Sequence, residues 1–337
     1  MDRRLRRGSR CRGGRPPRPG PVQQWSCRHR PSGSPRQLRS QEKPNPTGPV
    51  GRVLHRAGRY LGSVPELPEV ETVRRQLEPL IVGTRIIGCR AHPSPRFRDA
   101  SLATGHGIHQ VNRRGKYLLV GLHLSTAADS ASTRELVVHL GMTGGVSVVA
   151  SPPDDPYLRA CWSLDDGRYM TFRDIRRFGR LAVVETGEYS PLPTLHRLGP
   201  EPFDPSLDGA AFHSALRASR RHVKTSLLSQ RPIAGMGNIY ADEALWRARI
   251  SPAARRVGRE RAAVLLDSIR DVLGEALANN GTTLRDYRTP DGESGRNQER
   301  LDCYGRGGQP CRACGTVLTT RQLDQRTTTW CRSCQAR

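Results

Sequence analysis

Pro65-Glu66-Leu67-Pro68-Glu69-Val70-Glu71 places two prolines and three carboxylates in seven residues and runs straight into apolar positions at helical spacing, Val70, Val73, Leu77 and Leu80. The pattern predicts a helix. Pro68 suits its first turn, where no backbone N–H is needed. Glu69 and Glu71 suit the positive end of the helix dipole, and Gly83 supplies a stop. On its own, this stretch is no more than an acidic helix start.

Downstream of it, short apolar or alternating runs follow one another: Thr84–Ala91, Gly107–Val111, Tyr117–Leu124, Glu135–His139, Val146–Val149, Ala160–Leu164, Tyr169–Phe172 and Leu181–Glu185. Turn residues separate them, which predicts eight short antiparallel strands in a sandwich. The segments 125–134 and 151–156 read as surface loops. From about residue 195 the period becomes helical, with candidate helices over Leu207–Ala218, His222–Leu228, Tyr240–Arg247 and Arg259–Asn279, the last capped by Gly281. Residues 287–300 form a polar loop, and 303–337 a cysteine module.

Upstream, residues 1–63 hold 16 Lys/Arg against two Asp/Glu and almost no apolar periodicity, so they read as a disordered basic extension. The whole chain carries a net charge of +24 over 337 residues. Residues 64–337 alone still hold 39 basic against 29 acidic side chains, so a polyanionic partner is expected with or without the extension. No run of 18 apolar residues exists, which leaves no candidate for a membrane-spanning helix.

Cys311-x2-Cys314-x16-Cys331-x2-Cys334 is the most specific local signal: two knuckles able to offer four thiolates to one structural Zn²⁺. Two disulfides are the alternative. Arg326 lies between the knuckles, in Gln325-Arg326-Thr327, as either a phosphate ligand or a solvated cation. Gly235-Met236-Gly237-Asn238 is a glycine turn opening a helix, a place where backbone N–H groups meet phosphate, although most such turns are only turns. Asn112-Arg113-Arg114-Gly115-Lys116 reads as a basic turn before an apolar strand. Met142 in His139–Gly144 and Phe178 in Asp174–Gly179 read from spacing alone as core residues.

In sequence order these motifs resemble the formamidopyrimidine-DNA glycosylase and endonuclease VIII family of bifunctional DNA repair enzymes. The resemblance covers residues 64–335, and HLGMTG and DIRRFG favour the formamidopyrimidine type. It implies an α+β fold: an N-terminal helix and β-sandwich over 64–190, a helix-two-turn-helix domain with a lesion-capping loop over 195–300, and a zinc finger over 303–337. It implies excision of oxidised purines from damaged double-stranded DNA, with 8-oxoguanine and formamidopyrimidines as lesions, followed by strand cleavage. It also implies one structural zinc, a monomer, and residence in the bacterial cytoplasm at the nucleoid.

By the same resemblance Pro65 is the amine nucleophile and Glu66 the acid that protonates the sugar ring oxygen. Glu69 orients the site. Lys116 and Arg326 serve the reaction centre through phosphates, while Lys224, Asn238 and Tyr240 bind the backbone beside the lesion. Met142, Arg176 and Phe178 fill the hole left by the flipped base. A secondary amine attacking C1′ yields an iminium, whereas a proline nitrogen within a peptide bond has its lone pair delocalised. The nucleophile therefore requires a free Pro65. Val64 stands where the family has its initiator methionine, and a GTG codon is read as Val internally but as Met at a start, so translation from residue 64 is expected. A DNA-binding tail and a targeting peptide are the other readings of 1–63. One departure stands out: the family's Gly-Tyr-Phe-Gln before the finger is here Gly295-Arg296-Asn297-Gln298. The rival functions are an endonuclease VIII-like preference for oxidised pyrimidines and, if Pro65 stays within the chain, a non-catalytic DNA-binding protein.

Overall fold

The computed structural model describes residues 64–124, 134–282 and 295–336, all within one compact unit. The basic extension expected over 1–63, nearly all of the loop expected over 125–134, and residues 287–294 of the loop before the finger lie outside the described residues.

Helix α1 (Leu67–Ile81) starts where the acidic stretch predicts, with Glu66 as its N-cap and Pro68 in its first turn. The Glu69 carboxylate reaches back to accept from the Glu66 backbone N–H at 2.8 Å, satisfying an orphan donor of the first turn. The inner stripe is Val70, Val73, Leu77 and Ile81; Leu80, expected on that face, is instead 36 % exposed. Gly83 follows the helix at φ +88°.

All eight predicted strands are present: β1 (Ile86–Ala91), β2 (Gly107–Arg114), β3 (Tyr117–His123), β4 (Arg134–His139), β5 (Gly144–Val149), β6 (Leu158–Leu164), β7 (Tyr169–Asp174) and β8 (Arg180–Glu185). They form two antiparallel four-stranded sheets of order β1-β6-β7-β5 and β2-β3-β4-β8. Their inner faces and α1 share one core around Leu118, Val120, Leu136, Trp162 and Phe172. Asn112, Arg113 and Arg114, read as a turn, belong to β2: the turn is only Gly115-Lys116, with Arg114 paired to Tyr117. Gly115 sits at φ +54°, a conformation open to glycine at the first position of a two-residue hairpin. Lys116 is thereby fixed at a hairpin end.

The second half is helical: α2 (Pro193–His196), α3 (Gly209–Arg217), α4 (Val223–Leu228), α5 (Asn238–Arg247) and α6 (Arg259–Ala278). A Gly281 N–H to Ala276 carbonyl bond of 2.8 Å closes α6, with Gly281 at φ +79°. Leu67, the first residue of α1, packs in this helical core with Met236, Tyr240 and Leu273 rather than in the sandwich. One helix thus holds both halves, and the boundary between them falls at Glu66–Val70. The finger forms a hairpin, β9 (Thr319–Leu323) and β10 (Arg326–Trp330). Its two-residue tip is Asp324-Gln325, both at positive φ, so Arg326 opens β10 rather than standing at the tip itself.

Candidate active site

The side chains that close the site come from four places: the start of α1, the β2–β3 hairpin, the N-terminus of α5, and the finger. Glu66 is 2 % exposed. Its carboxylate accepts from the backbone N–H groups of Gly237 (2.8 Å), Ile239 (2.8 Å) and Tyr240 (3.4 Å), at the positive end of α5. Burial pushes its pKa up to about 7, against the opposing pull of the Lys116 ammonium and with a smaller push from Glu69. Glu66 is therefore an acid poised near neutrality. Lys116 is 8 % exposed, and burial lowers its pKa despite the neighbouring Glu66 and Glu69; Arg326 lies near enough to lower it further.

Gly237 makes this closeness possible. A Cβ there would lie 2.2 Å from the Glu66 carboxyl carbon and 2.5 Å from Lys116 Nζ. The glycine turn, ambiguous as sequence, is thus the surface against which acid and ammonium meet.

Among the described residues three donors hold Glu69: the Glu66 N–H (2.8 Å), the Thr282 N–H (2.6 Å) and the Tyr240 hydroxyl (2.5 Å). Burial still raises its pKa. Tyr240 Oη also lies 3.0 Å from Thr282 Oγ1, which in turn accepts from Asn297 Nδ2 at 3.1 Å. These bonds have a fixed direction. Tyr240 has one proton and gives it to Glu69, so Thr282 must donate to Tyr240, and the Asn297 amide feeds Thr282. Sequence reading missed both Thr282 and Asn297. Thr282 carries no local signal beyond following a helix cap, whereas the Asn297 departure from the aromatic pattern was visible without its meaning.

Two of the expected DNA contacts have their side chains engaged within the protein. Tyr240 is fully buried, and its hydroxyl donates to Glu69. Lys224 is 1 % exposed: its Nζ lies 2.6 Å from Asp242 Oδ1 and donates to the Thr327 carbonyl and Thr328 Oγ1. It is spent on docking the finger. A buried ammonium released from such a carboxylate would lose more than a solvated phosphate contact returns. Asn238, half-buried at the start of α5, donates one amide N–H to the Thr327 carbonyl at 3.0 Å, which leaves its second N–H for a ligand.

Asp242 and Glu243 of α5 complete the docking. Asp242 accepts from the Thr329 N–H, and Glu243 from the N–H groups of Asp302, Cys303 and Tyr304. Arg326, exposed at the start of β10, is so carried to the rim of the pocket. The thiol sulfurs of Cys311, Cys314, Cys331 and Cys334 lie within 4.8 Å of one another. The Cys314 and Cys331 sulfurs are 3.4 Å apart, too far for a disulfide and close enough to share a metal. The Trp246 indole N–H donates to Cys311 Sγ at 3.3 Å, a contact that suits a thiolate. This donor set fits one tetrahedral zinc.

On the outer side, the loops carrying Met142 and Arg176-Arg177-Phe178 are latched together. Thr143 Oγ1 donates to Asp174 at 2.5 Å and accepts from the Arg176 N–H at 3.0 Å, while a Cβ on Gly141 would strike Gly179 N at 2.5 Å. Phe178 is 47 % exposed with the Arg176 guanidinium 4.9 Å from its ring centre, and Met142 is half-buried. The core reading of Phe178 is excluded.

Three family signatures match in order: the formamidopyrimidine-DNA glycosylase N-terminal domain over 64–181, its H2TH domain over 198–288, and the zinc finger found in FPG and IleRS over 308–337. The chain belongs to the formamidopyrimidine-DNA glycosylase family. It is 44 % identical over 278 residues to the formamidopyrimidine-DNA glycosylase of Deinococcus radiodurans, covering 81 % of this chain and 97 % of the relative. It is 45 % identical over 276 residues to that of Thermus thermophilus, covering 81 % of this chain and 98 % of the relative. The fold matches the crystal structure of the Thermus thermophilus MutM (FPG) protein, at 45 % identity and a TM-score of 0.72, over 80 % of this chain and 98 % of that one. It also matches a Lactococcus lactis FPG mutant complexed with Fapy-dG DNA, at 33 % identity and a TM-score of 0.72, over 81 % of this chain and all of that one. Among the described residues no helix is long and apolar enough to cross a membrane.

Proposed function

We propose that this protein is a bifunctional DNA glycosylase and AP lyase of base excision repair that removes oxidised purines from duplex DNA, with one structural zinc in its finger. The observation that carries this reading is the buried Glu66–Lys116 pocket built on Gly237 and joined directly to Pro65. Relatives of this family have been solved with DNA holding carbocyclic 8-oxo-G, Fapy-dG or an abasic site.

In this mechanism the Pro65 amine attacks C1′ of the flipped nucleotide while Glu66, protonated near neutral pH, gives its proton to the ring oxygen. The C1′–O4′ bond opens, the base departs, and an iminium links Pro65 to the sugar. That cation accepts electrons as first the 3′ and then the 5′ phosphate is eliminated. Glu69, held by its donors, fixes the first turn of α1. Lys116, Arg326 and the free N–H of Asn238 hold phosphates at the reacting nucleotide. Phe178 wedges the stack, Arg176 meets the orphaned base and Met142 fills the gap. The zinc contributes rigidity to the hairpin and no chemistry.

The nucleophile needs a free amine, so the mature protein begins at Pro65. The family signature begins at residue 64, and 81 % of this chain matches 97–98 % of the relatives' length. The protein acts at the bacterial nucleoid. Excision assays on duplexes with 8-oxoguanine, formamidopyrimidine or oxidised pyrimidines test the reading: preferential release of the purine lesions is expected, and release of pyrimidine lesions alone would overturn it. Arg326→Ala should weaken binding to all duplexes and lessen its salt dependence.

A further inference from the structure

A second cationic feature takes no part in the pocket above. The α3–α4 connection and the segment leading into α6 are pinned together by the Val223 N–H to Ala254 carbonyl bond (2.7 Å) and the Lys224 N–H to Pro252 carbonyl bond (3.3 Å). Between them lie two adjoining depressions of about 530 and 670 Å³ that share Arg255 and Arg256. Arg217, Arg220, Arg221 and Arg261 complete the ring, and among the described residues no carboxylate lines either depression. Among the described residues none of the six guanidinium groups has a carboxylate at salt-bridge distance.

Collecting six like charges is unfavourable unless a partner neutralises them, and here the fold itself gathers them from two stretches more than thirty residues apart. Two of them are oriented by backbone. Arg255 donates to the Arg220 carbonyl at 3.2 Å and Arg261 to the Arg249 carbonyl at 2.8 Å, which leaves the remaining N–H groups of each fork for an acceptor. Gly258, the N-cap of the 20-residue α6, lines the same cleft with no side-chain cap, so the helix terminus adds unpaired N–H groups of the same sign.

We propose that this cleft is a second binding site for the DNA phosphodiester backbone, holding duplex outside the segment gripped at the lesion. Several guanidinium forks in an open cleft match a run of phosphates better than one small anion. The cleft is also separate from the Arg326 contact. Its His222 rim is bonded at 3.1 Å to Asp324, two residues before Arg326, and the Asp324 carboxylate would repel a strand continuing directly between the two. The function of such a site is search: contacts to undamaged backbone keep the enzyme on DNA between lesions. The proposal rests on the reading of the chain as a DNA repair enzyme.

The test is a triple variant, Arg220→Ala, Arg221→Ala and Arg256→Ala, which spares the two backbone-bonded arginines. Affinity is measured against salt on undamaged duplexes of roughly 12 and roughly 40 base pairs; each lost phosphate contact lowers the salt slope by about 0.9. The expected result is a slope reduced by about 2–3 on the long duplex only. Replacement of the same three by Lys should retain the slope. Single-turnover excision from a short lesion duplex should be unchanged in the variant. Unaltered slopes on both duplexes would overturn the proposal and leave the cleft to some other acidic partner. Equal losses on both duplexes, or loss of short-duplex excision with zinc content and melting intact, would also overturn it, by placing the arginines at the lesion. Absence of excision by the unmodified protein would instead refute the glycosylase reading and leave the slope comparison standing.

Discussion

The carboxylate pocket and the base-probing loops are built in opposite ways. Apart from the Glu66 N–H that Glu69 accepts, Glu66 and Glu69 depend on donors 171 to 213 residues away, and nearly everything they touch is buried. Phe178 and Arg176 depend on a latch spanning about thirty residues, and their working surfaces are exposed. The first arrangement tunes a proton; the second presents a shape. Changes to the pocket should therefore alter chemistry and its pH dependence, whereas changes to the loops should alter discrimination and leave the pH dependence in place.

The sharpest break is Gly237→Ala. The new Cβ must displace Glu66 or Lys116, and misplacement of a reacting group by about 1 Å costs on the order of 10²-fold. Single-turnover excision should fall at least that far while the zinc content stays at one per chain. Next is Glu66→Gln, which retains size and loses the transferable proton. Base excision should drop by roughly 10²–10⁴, as general acid catalysis predicts, with lesion binding retained in a gel-shift titration. Full turnover by this variant would remove Glu66 from the acid role.

Phe178→Ala belongs to the other region. The loss of one stacking contact is worth about 1–3 kcal/mol, so discrimination between lesion and intact duplex should fall by roughly 5- to 150-fold. The pH at which activity declines should not move. A shifted profile would mean that the two regions are not independent.

The smallest effect sharpens the comparison most. Asn297→Ala removes the amide that feeds Thr282, leaving Thr282 free to accept from Tyr240. Tyr240 then has an alternative to Glu69, which favours a protonated Glu69. The negative charge of Glu69 helps to raise the Glu66 pKa, so its loss lowers that pKa. In this mechanism excision needs protonated Glu66, so its rate should decline as pH rises through about 7 in the unmodified enzyme. In the variant this decline should begin at lower pH, with the rate at acid pH little altered. An unchanged profile would make Asn297 a packing residue only.

These dependencies explain what could be read from the chain alone. The eight strands were legible because alternating apolar runs separated by turn residues carry their own period, and the finger because four cysteines at fixed spacing restrict the chemistry. Glu66 could be named, but its burial and its seat on the α5 N-terminus arise only when residues 66 and 237–240 meet. Lys224 and Tyr240 make the same point: the resemblance assigns them to the backbone beside the lesion, and only the fold brings their side chains to Asp242 and Glu69, one on α5 and one on α1. Leu80 illustrates a smaller limit: helical spacing marks a face, and a one-position rotation decided for Ile81.

The central claim is that a free Pro65 amine reacts beside Glu66, and borohydride trapping tests it most directly. Protein made in its own host is incubated with an 8-oxoguanine duplex and reduced, and the cross-linked peptide is sequenced by mass spectrometry. The account predicts a covalent adduct on Pro65 as the first residue of the protein. An adduct on Lys116 or another lysine, or a Pro65 still joined to Val64 in protein that remains active, would contradict it.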